Sequence, residues 1–95
     1  MLHITNATYI SEYKVLVCFN NGEQGIVDLE NTIFSDHRLL VKELKSPEYF
    51  RSFFLNLDTI SWPNGLDFAP EFLYENIIKA AKKPTINPTN QKAKI

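Results

Sequence analysis

The chain has little of what metal, phosphate and disulfide chemistry needs. Among its 95 residues there are one cysteine, two histidines and three glycines. One cysteine cannot form an internal disulfide, and this fits a reducing compartment. One cysteine and two distant histidines do not supply the three or four ligands of a metal site. The glycines do not form a phosphate-cradling loop. The sequence therefore predicts no metal and no cofactor.

Long apolar runs and a basic start are also missing. No run approaches the ~20 apolar residues that a membrane helix needs. Residues 1–6 lack the basic residues and apolar core of a signal peptide. We therefore expect a cytoplasmic protein that does not contact a membrane.

The few nucleophilic or basic side chains do not form a catalytic set. His3 lies beside a predicted edge strand. His37 follows Asp36, and adjacent residues on a helix do not face each other. Cys18 lies inside a predicted strand, where a thiol behaves as a small hydrophobic group. We expect no catalytic residue and no enzymatic activity.

Charge is unevenly distributed along the chain. Residues 1–81 hold six Lys or Arg and eleven Asp or Glu, a formal charge of −5, whereas residues 82–95 hold four Lys and no acid. An acidic body is a poor surface for nucleic acid, because such binding depends on neutralising phosphates.

The length predicts one domain, residues 1–82, followed by a basic, Pro-containing tail, residues 83–95.

Local patterns predict an α+β fold. Residues 13–19 alternate in polarity, and Asn21-Gly22 then favours a type I′ hairpin, which needs two positive φ values. A second hairpin is expected within residues 53–62. Helices are expected over residues 38–45, from the Ser46-Pro47 start, and over residues 70–82. Together these predict an antiparallel sheet of four or five strands with two or three helices packed on one face.

The stretch from Trp62 to Tyr74 combines a turn and a helix start. Pro63 suits the second position of a turn, and Gly65 has no Cβ to obstruct its exit. Asn64 tolerates left-handed geometry. Pro70 suits the first position of a helix. Backbone geometry therefore accounts for these four residues.

Other side chains of this stretch form a candidate interaction surface. Aromatic side chains are common in interface hot spots, although core packing is the more common role of such residues. An open sheet edge could also accept a partner strand. The candidate residues are Trp62, Asp67, Phe68 and Tyr74.

Two motifs resemble a family. Residues 19–29 fit F-x-x-G-x-x-G-x-V-D-L, and residues 62–74 fit W-P-N-G-x-D-x-x-P-E-x-L-Y. With the segment 44–50 between them, they resemble the small bacterial domain-of-unknown-function family 2442 over about residues 3–80. The resemblance implies no established catalytic activity. It also implies that the gene often lies beside that of another small protein, as in a toxin–antitoxin or regulatory pair.

Four hypotheses about function follow. The first is a protein-interaction module that binds the small neighbouring-gene product. The second is a self-associating structural domain. The third is a small-ligand binder with an acidic site at Asp28, Asp58 or Asp67. The fourth, which the acidic body argues against, is nucleic-acid binding through Lys82, Lys83, Lys92 and Lys94.

Overall fold

The first half of the chain is built on an antiparallel meander. The computed structural model describes residues 1–77. Three strands pair in the order β1-β2-β3. They are β1 (Ile4–Ser11), β2 (Lys14–Phe19) and β3 (Gln24–Asp28). Val15, Val17 and Phe19 of β2 are buried and the residues between them are partly exposed, so one face of the meander covers the core, as the alternation predicts.

The β2–β3 hairpin is present, but the predicted type I′ turn is wrong. Gly22 has a φ of 89°, whereas Asn21 does not have a positive φ. The Gly22 N–H donates to the carbonyl of Phe19 at 3.0 Å, and the Phe19 N–H donates to the carbonyl of Glu23 at 2.8 Å. The strands are therefore joined by residues 20–23, and only the glycine enters the left-handed region.

Short helices cover the core. Ser46 caps α3, because its Oγ accepts a hydrogen bond from the Tyr49 N–H at 3.4 Å. Pro47 and Pro70 each occupy a first helical turn, as predicted. The helix predicted over residues 38–45 is present from Leu39, whereas Arg38 is extended, and the last three residues form a 3-10 turn. The elements are α1 (Glu30–Ser35), α2 (Leu39–Lys42), the 3-10 turn (Glu43–Lys45), α3 (Pro47–Phe50) and α4 (Pro70–Glu75).

The second hairpin is also present, but it forms its own sheet. It consists of β4 (Phe54–Asn56) and β5 (Thr59–Ser61). It meets the meander where the Ile4 N–H donates to the carbonyl of Asp58 at 2.8 Å. β1 has register shifts near both ends, irregularities that bend a strand and interrupt pairing. The α+β class is confirmed, whereas the single sheet of four or five strands is corrected to one three-stranded and one two-stranded sheet. The two or three predicted helices are corrected to four short α-helices and a 3-10 turn within residues 1–77.

The last helix is shorter than predicted. It ends at Glu75, and Asn76 closes it by donating to the carbonyl of Leu73 at 3.1 Å. Ile77 then forms an isolated antiparallel bridge with Val27. The predicted helix is therefore wrong at residues 76 and 77. Its remainder, and the predicted boundary between residues 82 and 83, lie outside the described residues.

Candidate interaction surfaces

Two of the four candidate residues belong to the core. Trp62 is 1% exposed, and its Nε1–H donates to the carbonyl of Phe50 at 2.9 Å. Its ring contacts Phe50, Phe53 and Phe68 at centroid distances of 5.7 to 6.1 Å. Phe68 is 7% exposed. Trp62 and Phe68 are thus brought together, but they offer almost no surface to a partner.

The other two candidates lie nearer the solvent. The half-buried Tyr74 donates from its hydroxyl to Glu23 Oε1 at 2.6 Å and packs edge-on against Phe19. This hydrogen bond to the carboxylate raises the pKa of Tyr74 above its ordinary 10.0. Asp67 is exposed and forms a backbone bridge with Ser61. It does not cap α4, which has no side-chain cap.

The turn that follows Trp62 has the predicted geometry at Pro63 and Gly65. The Gly65 N–H donates to the carbonyl of Trp62 at 2.9 Å, and Gly65 has a φ of 94°. The Trp62 N–H donates to the carbonyl of Leu66, also at 2.9 Å. These two bonds form a closed loop over residues 62–66. Proline and glycine are needed there for conformation, as the sequence indicates.

Asn64 has a role that its residue type alone did not reveal. Its Nδ2 donates to the carbonyl of Leu40 at 3.1 Å and to Glu43 Oε1 at 2.6 Å. Its Oδ1 accepts from the Leu66 N–H at 2.9 Å. Its φ is not positive, so the predicted use of left-handed tolerance is not realised. Asn64 instead ties the 62–66 turn to α2 and the 3-10 turn.

The most exposed apolar side chains of the second sheet form what we call the hairpin surface: Phe54, Leu55 and Leu57. These are 45%, 43% and 95% exposed. All three residues of β4 are exposed, whereas all three of β5 are buried. Sequence reasoning placed this hairpin but missed its surface. The available signal was the uncharged run from Ser52 to Leu57.

Leu57 is also conformationally unfavourable. It occupies the first position of the two-residue turn between the paired residues Asn56 and Thr59. Its φ is 60°, a region that costs most L-residues roughly 1–2 kcal/mol. Glycine or asparagine would fit better there. An apolar side chain that is both strained and almost fully exposed contributes little to the stability of its own fold.

The acids proposed for a small-ligand site are not gathered around a cavity. Asp28 Oδ1 accepts from the Glu30 N–H at 3.0 Å, an internal role at the start of α1. Within residues 1–77 there is no pocket, and no group of three or more His, Cys, Asp or Glu that could hold a metal ion. The described helices include none that is long and apolar enough to cross a membrane.

The two glycines of the first motif, and the turn in the second, have distinct structural uses. Gly22 supplies a positive φ, whereas Gly25 makes room for Ile77. The model of a family described as protein of unknown function, DUF2442, matches residues 4–79. The chain belongs to this family. No curated protein and no solved structure matches it. The DUF2442 match extends over both sheets and all the described helices.

Proposed function

We propose that this DUF2442 protein is a non-catalytic interaction module that binds a small basic protein through the hairpin surface, as an antitoxin-like or regulatory partner does. The observation that carries the proposal is Leu57, which is 95% exposed at a φ of 60°. Neither packing nor backbone preference explains a leucine there. Strained, exposed residues are concentrated at binding sites, where a partner supplies the missing contacts.

The charge of the described body supports a basic partner. Residues 1–77 hold five Lys or Arg and eleven Asp or Glu, a formal charge of −6. The stretch from Ser52 to Leu57 is uncharged. An apolar patch on an acidic body suits a partner with an apolar patch and a positive rim. Such charge complementarity speeds association and selects the partner.

The experiment uses two variants of the full chain. The wild-type protein and its Leu57→Asn variant each carry an affinity tag and are expressed at endogenous level. The small basic protein that is recovered with the wild type is then identified and purified. Leu57→Asn should weaken its binding by at least tenfold, or about 1.4 kcal/mol. Leu39→Asn, which changes a 79% exposed leucine on α2, is the matched control. The proposal is refuted if the partner binds Leu57→Asn as tightly as it binds Leu39→Asn. It is also refuted if no small basic protein is recovered under any growth condition.

Self-association is the second candidate, favoured by the open edge of β4. Among the described residues, β4 pairs only with β5, and a two-stranded sheet is marginal by itself. Two copies paired through β4 would form a four-stranded antiparallel sheet across a two-fold axis. Light scattering at micromolar concentration should then give twice the chain's 11.0 kDa. A mass of one chain would rule this out and leave the first candidate standing.

A further inference from the structure

The dipeptide Asn-Gly occurs at two places in the chain, Asn21-Gly22 and Asn64-Gly65. Asparagine is chemically labile, and it cyclises onto its own backbone most readily before glycine, where no Cβ hinders the approach. Both asparagines lie in tight turns, and the two glycines have similar positive φ values of 89° and 94°. The local sequence gives no reason for the two sites to differ in reactivity.

The two turns also have the same pattern of local hydrogen bonds. Each glycine N–H donates to the carbonyl three residues earlier, at 3.0 Å in the first turn and 2.9 Å in the second. Each asparagine Oδ1 accepts from the N–H two residues later, at 3.0 Å and 2.9 Å respectively. A difference in reactivity must therefore come from the surroundings of the side-chain amide nitrogen.

The amide nitrogens of the two asparagines are held very differently. The half-buried Asn64 donates from Nδ2 to the carbonyl of Leu40 at 3.1 Å and to Glu43 Oε1 at 2.6 Å. Asn21 is exposed, and its Nδ2 donates no hydrogen bond of ordinary length to any residue from 1 to 77. Asn64 must break both bonds before its side chain can turn towards the backbone, whereas Asn21 has no such bonds to break.

One looser contact remains at Asn21. The pKa of Tyr74 is raised chiefly by its hydrogen bond to Glu23, and a polar contact with the Asn21 side chain opposes that rise. The Tyr74 hydroxyl is already engaged with Glu23 at 2.6 Å. The contact with Asn21 is therefore secondary, and it does not restrain the amide as two close acceptors restrain Asn64.

We propose that Asn21 is a site of spontaneous deamidation and that its tertiary hydrogen bonds protect Asn64. The Gly22 nitrogen loses its proton to hydroxide and attacks Asn21 Cγ, which forms the N–C bond of a succinimide ring. The Cγ–Nδ2 bond breaks, and the nitrogen takes up a proton and leaves as ammonia. Water then opens the ring at either carbonyl, and the product is aspartate or isoaspartate. The net reaction converts amide and water into carboxylate and ammonium.

The turn allows the first step because it is open to solvent. Residues 20–24 are all exposed, so hydroxide reaches the Gly22 N–H whenever its bond to the carbonyl of Phe19 opens. Exposed turns open at low free energy compared with the core. The N–H that Glu23 donates to Asn21 Oδ1 also draws electron density from Cγ, the atom that is attacked.

The product changes both the charge and the backbone of the β2–β3 turn. A new carboxylate appears beside Glu23, and the formal charge of residues 1–77 changes from −6 to −7. Isoaspartate also adds one methylene group to the main chain between the two strands. The inference goes beyond the proposed function, since it concerns this turn and not the hairpin surface.

The test is mass spectrometric peptide mapping of the purified full chain after ageing at mildly alkaline pH. Asn21 should gain the mass of an amide-to-acid conversion at least about tenfold faster than Asn64. This ratio corresponds to about 1.4 kcal/mol in the barrier, which is the scale of the hydrogen bonds that Asn64 must break. In concentrated urea, where those bonds are absent, the two asparagines should convert at similar rates.

Two variants serve as controls. Asn21→Gln should abolish the mass gain at the first turn, because the longer side chain would have to close a larger, more slowly formed ring. Glu43→Ala removes one acceptor from Asn64 Nδ2 and should accelerate conversion of Asn64 severalfold. The same variant should leave the rate at Asn21 unchanged.

Four results would overturn the proposal. The first is equal conversion of Asn21 and Asn64 in the folded chain. The second is no conversion of Asn21 in the folded chain, because the turn itself would then be protective. The third is a rate difference that persists undiminished in urea, and the fourth is an unchanged Asn64 rate in Glu43→Ala. None of these results depends on a partner binding the hairpin surface.

Discussion

The indole N–H of Trp62 donates to the backbone carbonyl of Phe50 at 2.9 Å inside the core. This contact decides how the Trp62–Tyr74 stretch is understood. Trp62 has both its ring and its polar atom satisfied internally, so nothing of it remains for a partner. The exposed apolar side chains that core packing does not explain are those of the hairpin surface, just before Trp62 in the chain: Phe54, Leu55 and Leu57.

Trp62→Phe should lower the free energy of unfolding by roughly 2–4 kcal/mol. The substitution leaves the buried carbonyl of Phe50 without its donor and leaves part of the indole volume unfilled. Urea denaturation followed by circular dichroism measures the change. Leu39→Ala, at a position 79% exposed, should change the free energy by no more than about 0.5 kcal/mol. Equal effects of the two substitutions would contradict the packing described for Trp62.

Asn64→Asp should destabilise the protein more than Asn64→Ala does at pH 7. Both substitutions lose the bonds donated to Leu40 and Glu43, and alanine also loses the acceptor of the Leu66 N–H, at a cost of about 1–2 kcal/mol. Aspartate also places a carboxylate beside that of Glu43, and like charges at this distance repel. Combining Asn64→Asp with Glu43→Gln should therefore recover part of the loss. A double-mutant cycle in urea measures this coupling, and strict additivity would argue against the contact.

Gly25→Ala and Gly22→Ala should both destabilise the protein, but for different reasons. The new Cβ at residue 25 would be 2.5 Å from Ile77 Cγ2, and overpacking of this kind costs about 1–3 kcal/mol. Nothing lies within 4 Å at residue 22, where the cost comes from the φ of 89°. Ile77→Ala should partly relieve the first substitution and leave the second unaffected. Equal coupling in both cycles would show that Gly25 is needed only for its conformation.

Leu57→Asn should raise the free energy of unfolding by about 0.5–1 kcal/mol. Asparagine tolerates the φ of 60°, and a side chain 95% exposed gives up little burial when it is replaced. Leu55→Asn is the control, because β4 does not need a positive φ there. Thermal unfolding of the three proteins measures the difference. If Leu57→Asn stabilises the fold and also weakens binding of the partner, the leucine serves binding and not folding.

Stability should fall with rising pH as Tyr74 ionises. Its folded pKa is raised by the hydrogen bond to Glu23, so this stabilisation is complete below the ordinary pKa of 10.0. It is lost as the pH rises through the folded pKa. Absorbance near 295 nm follows the phenol, and Glu23→Gln should move its titration to lower pH. Tyr74→Phe should flatten the dependence of stability on pH above 10, and an unchanged slope would contradict the contact.

Some strands and helix starts could be predicted because their signals depend only on neighbouring residues. Alternating side chains indicated β2, and Ser46-Pro47 indicated the start of α3, since both patterns act within a few residues. The predicted length of α4 is wrong because that prediction also depends on neighbouring residues alone. The apolar spacing through Ile77 favours a helix locally, whereas the bridge to Val27 is a contact 50 residues away in the chain.

The sequence by itself determined the family, the α+β class and the order of most strands and helices. Turn residues and periodic burial are written in adjacent positions, and they limit the backbone directly. The tertiary structure alone decided that Trp62 is core, that Asn64 holds α2 and that Gly25 admits Ile77. It also decided that the second hairpin forms its own sheet with Leu57 exposed. These outcomes depend on which segments, far apart in the sequence, pack against each other in the fold. The spacing of side chains along the sequence does not specify how closely those segments pack.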